Sequence, residues 1–111
     1  MTTETKRPWG KFLTFAKNQK CTVKILIIEP EEELSLQKHA DRVEHWYFLD
    51  PGIVQIGNSK KKIAAGKEVV IKKNKEHRII GTKKRIRVLE VSFGRFSEKD
   101  EVRLEDKYAR K

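Results

Sequence analysis

The sequence predicts an all-β protein folded as one barrel or double-sheet roll, and three observations carry that reading. Short runs of alternating or β-branched apolar residues recur along the chain. Turn-forming stretches such as Asp50-Pro51-Gly52 and Gly57-Asn58-Ser59 separate them at nearly regular intervals. No convincing helical period occurs before residue 97, so seven or eight short strands are expected. At 111 residues the chain has room for one core, and a single domain spanning 1–111 follows.

Taken in order, residues 1–6 have the polar composition of a disordered terminus. Pro8-Trp9-Gly10 then opens a strand over 11–16, with Phe12, Leu13 and Phe15 supplying core contacts and Trp9 closing the end of the core. The stretch 22–29 is dense in β-branched residues. Val23, Ile25 and Ile27 fall on one face and Leu26 and Ile28 on the other, which predicts burial of both. Pro30 and the three glutamates after it form a solvated turn that includes Glu33. Strands over 34–39 and 43–49 follow, the second placing Trp46 and Phe48 on the face of Glu44. Residues 53–56 and 62–65 flank the Gly57-Asn58-Ser59 turn. A strand over 68–72 leads to a turn at 73–76 that presents His77. Over 85–93 the apolar phase changes: Ile86 and Val88 face one way, then Leu89, Val91 and Phe93 the other, which calls for a bulge near Val88. Ser97-x-x-Asp100 offers a cap for a helical turn.

The net charge of +10 comes from one place. Residues 59–87 hold twelve basic and two acidic groups, while the segments before and after are each balanced. Such a stretch is a solvated lysine-rich face that also draws in anions such as phosphosugars. It contains no Phe, Tyr or Trp on which bases would stack, so nucleic acid is not expected as a partner. No apolar run exceeds four residues, which excludes a membrane-spanning helix. The first residues lack the apolar core of a signal peptide, and the single cysteine, Cys21, has no partner for an internal disulfide; both fit a cytoplasmic protein. Exposed edges of a small barrel lead to the expectation of a homodimer.

The stretch that carries chemistry is Gln37-x-His39-x4-Glu44, with His77 about thirty residues later. In strand periodicity Gln37 and His39 point to one face, and a hairpin returning beside them would bring the Glu44 carboxylate to the same spot. His45 falls on the opposite face and is a packing or supporting histidine. Mixed nitrogen and oxygen donors suit a borderline divalent metal rather than calcium, which takes oxygen alone.

These residues resemble the first motif of the cupin superfamily, and Gly66, Lys72, Asn74, His77 and Gly81 resemble the second. More narrowly, Arg7-Pro8-Trp9-Gly10-x-Phe12, Leu34-Ser35-Leu36-Gln37-x-His39, Arg42-x-Glu44-His45-Trp46, and Glu98-x-Asp100 with Arg103-x-Glu105-Asp106-x-Tyr108-x-Arg110 resemble the C-terminal domain of type II mannose-6-phosphate isomerases, which are often fused to a mannose-1-phosphate guanylyltransferase. The resemblance implies an all-β, cupin-type double-stranded β-helix, a jelly-roll barrel with short N- and C-terminal extensions. It implies four metal ligands, Gln37, His39, Glu44 and His77, holding a divalent transition ion: zinc first, with manganese, cobalt, nickel and iron as alternatives. It implies an isomerase of mannose 6-phosphate and fructose 6-phosphate. For that reaction Arg42, Arg110 and Lys38 are the candidates to hold the phosphosugar substrate, and Asp41 with Arg42 the candidates for catalysis.

The chain departs from the family pattern at several loop positions. Pro51 stands at a glycine position, Glu31 follows Pro30 where Pro-Gly is usual, Lys72 and Asn74 replace a proline and a glycine, Gly81 replaces an asparagine, and Ala109 replaces a glycine. A second reading therefore stands beside the first: a non-catalytic metal-binding cupin that binds a sugar or sugar nucleotide, or that accompanies a separate nucleotidyltransferase.

Overall fold

The structure, a computed structural model, describes residues 2–95 and 98–107. Its strands are β1 (Thr3–Arg7), β2 (Gly10–Thr14), β3 (Thr22–Ile28), β4 (Leu36–Lys38), β5 (Arg42–Phe48), β6 (Gly52–Ile56), β7 (Ser59–Ile63), β8 (Glu68–Ile71), β9 (His77–Ile80), β10 (Ile86–Gly94) and β11 (Val102–Glu105), with one 3₁₀ turn at Glu98–Asp100. Among the described residues no helix is long and apolar enough to cross a membrane.

Beyond the β1–β2 hairpin, two antiparallel sheets form the body, ordered β3-β10-β5-β8 and β11-β4-β9-β6-β7. From β3 to β11 the chain passes from one sheet to the other at every step except the β6–β7 hairpin. That alternation is a double-stranded β-helix. It follows from strands too short to pair extensively with their sequence neighbours, joined by turns that hand the chain across the core. Between the sheets Ile28, Trp46, Phe48, Val54, Ile71, Ile79, Ile86 and Val88 form one buried cluster. Each such side chain contributes roughly 1.5–3 kcal/mol through its removal from water.

The structure corrects several expectations. Residues 3–6 are strand, paired to β2 from Thr3↔Thr14 to Arg7↔Gly10. Trp9, at the tip of that hairpin, is 73% exposed and closes nothing, and Phe12 is also exposed. Phe15 does pack, edge-on to Tyr47 at 5.1 Å between ring centroids. The β3 strand is not buried on both faces, because Val23, Ile25 and Ile27 are all more than half exposed. The bulge near Val88 does not exist: β10 keeps an unbroken register with both β3 and β5 from 88 to 92. Its inward positions after Val88 are Glu90 and Ser92, both buried, so polar residues on the inner face imitated a change of phase. Glu33 is not a solvated turn residue. It pairs at 2.6 Å with Arg78, which is buried on the outer side of its sheet and also takes Gln55 Oε1 at 2.9 Å. Ser97 lies outside the described residues, and Asp100 instead accepts the backbone N–H groups of Ala40 and Asp41, both at 2.9 Å.

Two family glycine positions show how the loops keep their shape without glycine. Asn74 has φ 60° and Glu31 φ 65°. Asparagine tolerates the left-handed region, whereas glutamate there costs about 1–2 kcal/mol. Part of that cost is recovered because glycine is freer in the unfolded chain, by about 0.4–1 kcal/mol. Glu31→Gly is therefore expected to raise stability by about 0.5–1 kcal/mol in urea unfolding, and a loss would mean that the exposed Glu31 side chain makes a contact worth more than its backbone strain.

Candidate metal centre

The site is assembled from both sheets. β4 brings Gln37 and, just past its end, His39; β5 brings Arg42 and Glu44; β9 opens with His77. Gln37 and His77 face each other in register. The turn before β9 is tied to the first motif, since Asn74 N–H donates to the His39 carbonyl at 2.6 Å. Gly94, with φ 106°, lets the end of β10 come close: a Cβ there would lie 2.4 Å from the Asp41 carbonyl oxygen. The strand carrying Arg42 and Glu44 is thereby drawn tight against β10.

His39, Glu44 and His77 are all buried, and one ligand atom from each lies within 4.8 Å of the others. His77 Nδ1–H donates to the Lys75 carbonyl at 2.6 Å, so Nε2, 3.5 Å from Glu44 Oε1, offers a lone pair in the neutral ring and an N–H to Glu44 in the protonated one. His39 Nδ1 lies 3.7 Å from Glu44 Oε2, and its Nε2 is 2.9 Å from Gln37 Oε1. Gln37 is held in turn by its amide, which donates to Ser35 Oγ at 2.8 Å. Trp46 stacks edge-on to His77 at 5.3 Å, fixing the ring from the core side.

The electrostatics favour metal ligation. Burial pushes the His39 imidazole down to about 4, so it is neutral with a lone pair at physiological pH. Burial alone would raise the Glu44 carboxyl. Hydrogen bonding to His77, Glu90 and Arg42 outweighs that and holds Glu44 well below the usual carboxylate range. The Arg42 Nε–H donates to Glu44 Oε2 at 2.9 Å with both groups buried. Glu90, inward on β10, is pushed up to about 8 by burial and then by its hydrogen bond to Glu44 and the charge there. Two imidazoles, a carboxylate and an amide oxygen are a donor set for a borderline divalent transition ion, and the Lys75 carbonyl on His77 is the kind of outer contact that orients such a ligand.

Of the four residues expected as ligands, His39, Glu44 and His77 are brought to one spot, while Gln37 sits on the Nε2 side of the His39 ring, opposite the Nδ1 that faces Glu44. The substrate and catalytic candidates fare differently. Arg42 lines the cavity beside the cluster, buried, with its Nε–H on Glu44. Asp41 does not share the face of Gln37 and His39: β4 ends at Lys38, and the exposed Asp41 lies in the following bend. Lys38 does not line the cavity. Arg110 lies outside the described residues. His45 is away from the cluster and packs on Phe93. Sequence reasoning missed three groups that line the cavity, Lys24, Glu90 and Glu101. For the first two the clue was an ionisable residue at a core-phase position of an apolar strand; for Glu101 there was none.

Fold and site together define a cupin-type barrel with a candidate metal centre. Solved structures share the fold. A cupin protein from Bacteroides fragilis superposes with a TM-score of 0.62 at 19% identity, over 69% of this chain and 68% of that one. A sugar phosphate isomerase of the cupin superfamily from Silicibacter pomeroyi gives 0.63 at 13%, over 70% and 52%. Residues 1–106 match the family described as mannose-6-phosphate isomerase C-terminal, and the chain belongs to that family. It is 32% identical over 110 residues to the mannose-1-phosphate guanylyltransferase ManC of Salmonella typhimurium, and 31% over 111 residues to the alginate biosynthesis protein AlgA of Pseudomonas aeruginosa. Each alignment covers 96% of this chain but only 23% of the relative.

Two outcomes are expected of the site. After reloading with zinc, the chain should retain about one equivalent by elemental analysis, with His77→Ala and Glu44→Gln each weakening retention at least ~tenfold; equal retention by His77→Ala would remove that residue from the site. The second concerns the metal-free chain. Glu90, raised from 4.5 to about 8, contributes stability that is full below pH 4.5 and lost as pH rises through 8. His39, lowered from 6.5 to about 4, contributes stability that is full above pH 6.5 and lost as pH falls through 4. Between pH 6.5 and 8 the Glu90 effect therefore acts alone of the two. Stability should fall there by up to about 1.4 kcal/mol per pH unit, and Glu90→Gln should flatten the slope in urea unfolding.

Proposed function

We propose that the chain is a metal-dependent aldose–ketose isomerase that interconverts mannose 6-phosphate and fructose 6-phosphate. The observation that carries this reading is the convergence of His39, Glu44 and His77 inside the barrel of a chain that belongs to the mannose-6-phosphate isomerase C-terminal family. A divalent transition ion, zinc in the first place, would be held by these three with Gln37, and when bound it supplies Lewis-acid polarisation of adjacent sugar oxygens. The rest falls to the chain. His77 is held by Lys75, and Glu44 by Arg42, so two of the ligating groups are set before substrate arrives. The cavity beside them is about 130 Å³, below the roughly 300–1,000 Å³ of ordinary ligand pockets, so it takes the reacting end of a sugar while the phosphate stays outside. Two carboxyl groups that are not ligands, Glu90 and Glu101, face that cavity; Glu90 is engaged in donating to Glu44, and Glu101 is the group available to accept and return the proton that moves between C2 and C1. Glu101 is set by Arg103, whose Nε lies 2.7 Å from Oε2.

The second reading, a binding domain that accompanies a nucleotidyltransferase, draws on one observation: the chain spans 23% of relatives that are named guanylyltransferases. A coupled assay with mannose 6-phosphate separates the two. Turnover by the metal-loaded chain, lost on chelation and restored by metal, is expected; a folded, metal-loaded chain without turnover would leave the binding role.

Arg42 gives a prediction of its own. Removing one partner of a buried ion pair typically costs about 3–5 kcal/mol, because the other charge is left stranded. Arg42→Ala should destabilise the chain by about that amount and weaken metal retention, whereas replacing the exposed Lys60, Lys61 and Lys62 together should do neither.

A further inference from the structure

The β3 strand is inverted with respect to the rule that apolar residues go inside. Val23, Ile25 and Ile27 point outward at 58%, 57% and 58% exposure, and the position between the first two, Lys24, points into the barrel. A slip of one residue would exchange the two faces. The slip is prevented by a ladder to β10 that runs without a bulge from Ile86↔Ile28 to Ser92↔Thr22. The chain thus leaves three aliphatic side chains in water and directs an ammonium group inward. Breaches of a local rule of this kind concentrate at functional sites.

The surroundings of Lys24 give the breach a purpose. Glu90 is its directly opposed residue on β10, and Glu90 is in turn opposed by Trp46 on β5, so Lys24, Glu90 and Trp46 form one row across the sheet. All three line the small cavity that also holds Glu44 and His77. The Lys24 charge acts on the Glu90 carboxyl. The Trp46 indole is 1% exposed, and its Nε1–H acts on the Glu90 carboxyl but reaches no partner at normal hydrogen-bond geometry among the described residues; a donor so poorly satisfied is costly unless something in the cavity accepts from it. Leu26 and Leu34 supply apolar walls. Two donors, a carboxyl and an aliphatic wall around a small cavity match a polyhydroxylated chain, whose oxygens accept, whose hydroxyls donate and whose C–H faces pack.

We propose that Lys24 is a further substrate-contacting residue of this site, its ammonium aimed by Glu90, and that together with the Trp46 N–H it binds the oxygens at the reacting end of a sugar. The inference rests on the sugar-phosphate reading given above and deepens it by naming the groups that hold the ligand. Glu90 acts here as a positioning residue.

Mannitol 6-phosphate, which has no carbonyl and is not turned over, is a suitable probe for calorimetry on the metal-loaded full chain. Lys24→Met should weaken its binding about ten- to a hundredfold, as expected for loss of a charged hydrogen bond, and Trp46→Phe, which keeps a ring but not the N–H, severalfold. The double variant Lys24→Met/Glu90→Gln removes the carboxyl left without its lysine, guards against a folding failure, and should bind as poorly as Lys24→Met. A folded, metal-loaded Lys24→Met chain that binds the probe within twofold of the parent would overturn the proposal, as would a parent chain that does not bind it. If binding depends on Lys24 while the parent shows no turnover, Lys24 stands and the isomerase reading falls. If turnover persists in Lys24→Met with kcat and KM unchanged, the isomerase reading stands and Lys24 falls.

Discussion

A carboxylate at 2% exposure must be compensated from within the barrel, and the compensation of Glu44 organises what surrounds it. Arg42 Nε sits 2.9 Å from one oxygen, His77 Nε2 3.5 Å from the other, and the Glu90 carboxyl donates from the next strand. Each partner is delivered by a different constraint. Arg42 is two residues back on the same strand, and therefore on the same face. His77 comes from the opposite sheet, aimed by the Lys75 carbonyl. Glu90 comes from the ladder that joins β10 to β5. The inward face of β5 thus runs Arg42, Glu44, Trp46, Phe48, charged at one end and aromatic at the other, and it sets where the barrel is a site and where it is a core.

That gradient explains what could be read from the sequence. β5 was legible because its alternation is complete, and the turns at 50–52 and 57–59 because their residues have few other uses. The closeness of Gln37, His39 and Glu44 was legible because their spacing is one that strand geometry converts directly into position. β10 was misread because Glu90 and Ser92 occupy inward positions, and apolar patterning treats a polar inward residue as a break. β3 was misread because its most regular apolar stripe, Val23, Ile25 and Ile27, is the outer one. Asp41 was placed by extending strand phase past Lys38, where the backbone has already left the strand to meet Asp100. The pairing of Glu33 with Arg78 joins residues 45 apart in sequence and had no local mark.

The positive stretch proves heterogeneous once folded. Arg85 pairs with Glu29 and Arg87 with Asp50, so those cations are balanced by acids from elsewhere in the chain. Arg78 is buried among Glu33 and Gln55. Lys60, Lys61 and Lys62 lie exposed on β7, the last strand of its sheet, where charge also discourages pairing with another sheet edge. Two departures from the family pattern in the second motif, Lys72 and Asn74, sit in the turn that closes on His39, and Asn74 adopts there the left-handed conformation that a glycine would supply.

The identity of the atoms around a bound ion is open to X-ray absorption at the zinc edge of the reconstituted chain. The account predicts two imidazole nitrogens, with oxygen making up the remainder and no sulfur. A sulfur scatterer at about 2.3 Å, or a shell without the multiple scattering of histidine, would contradict it.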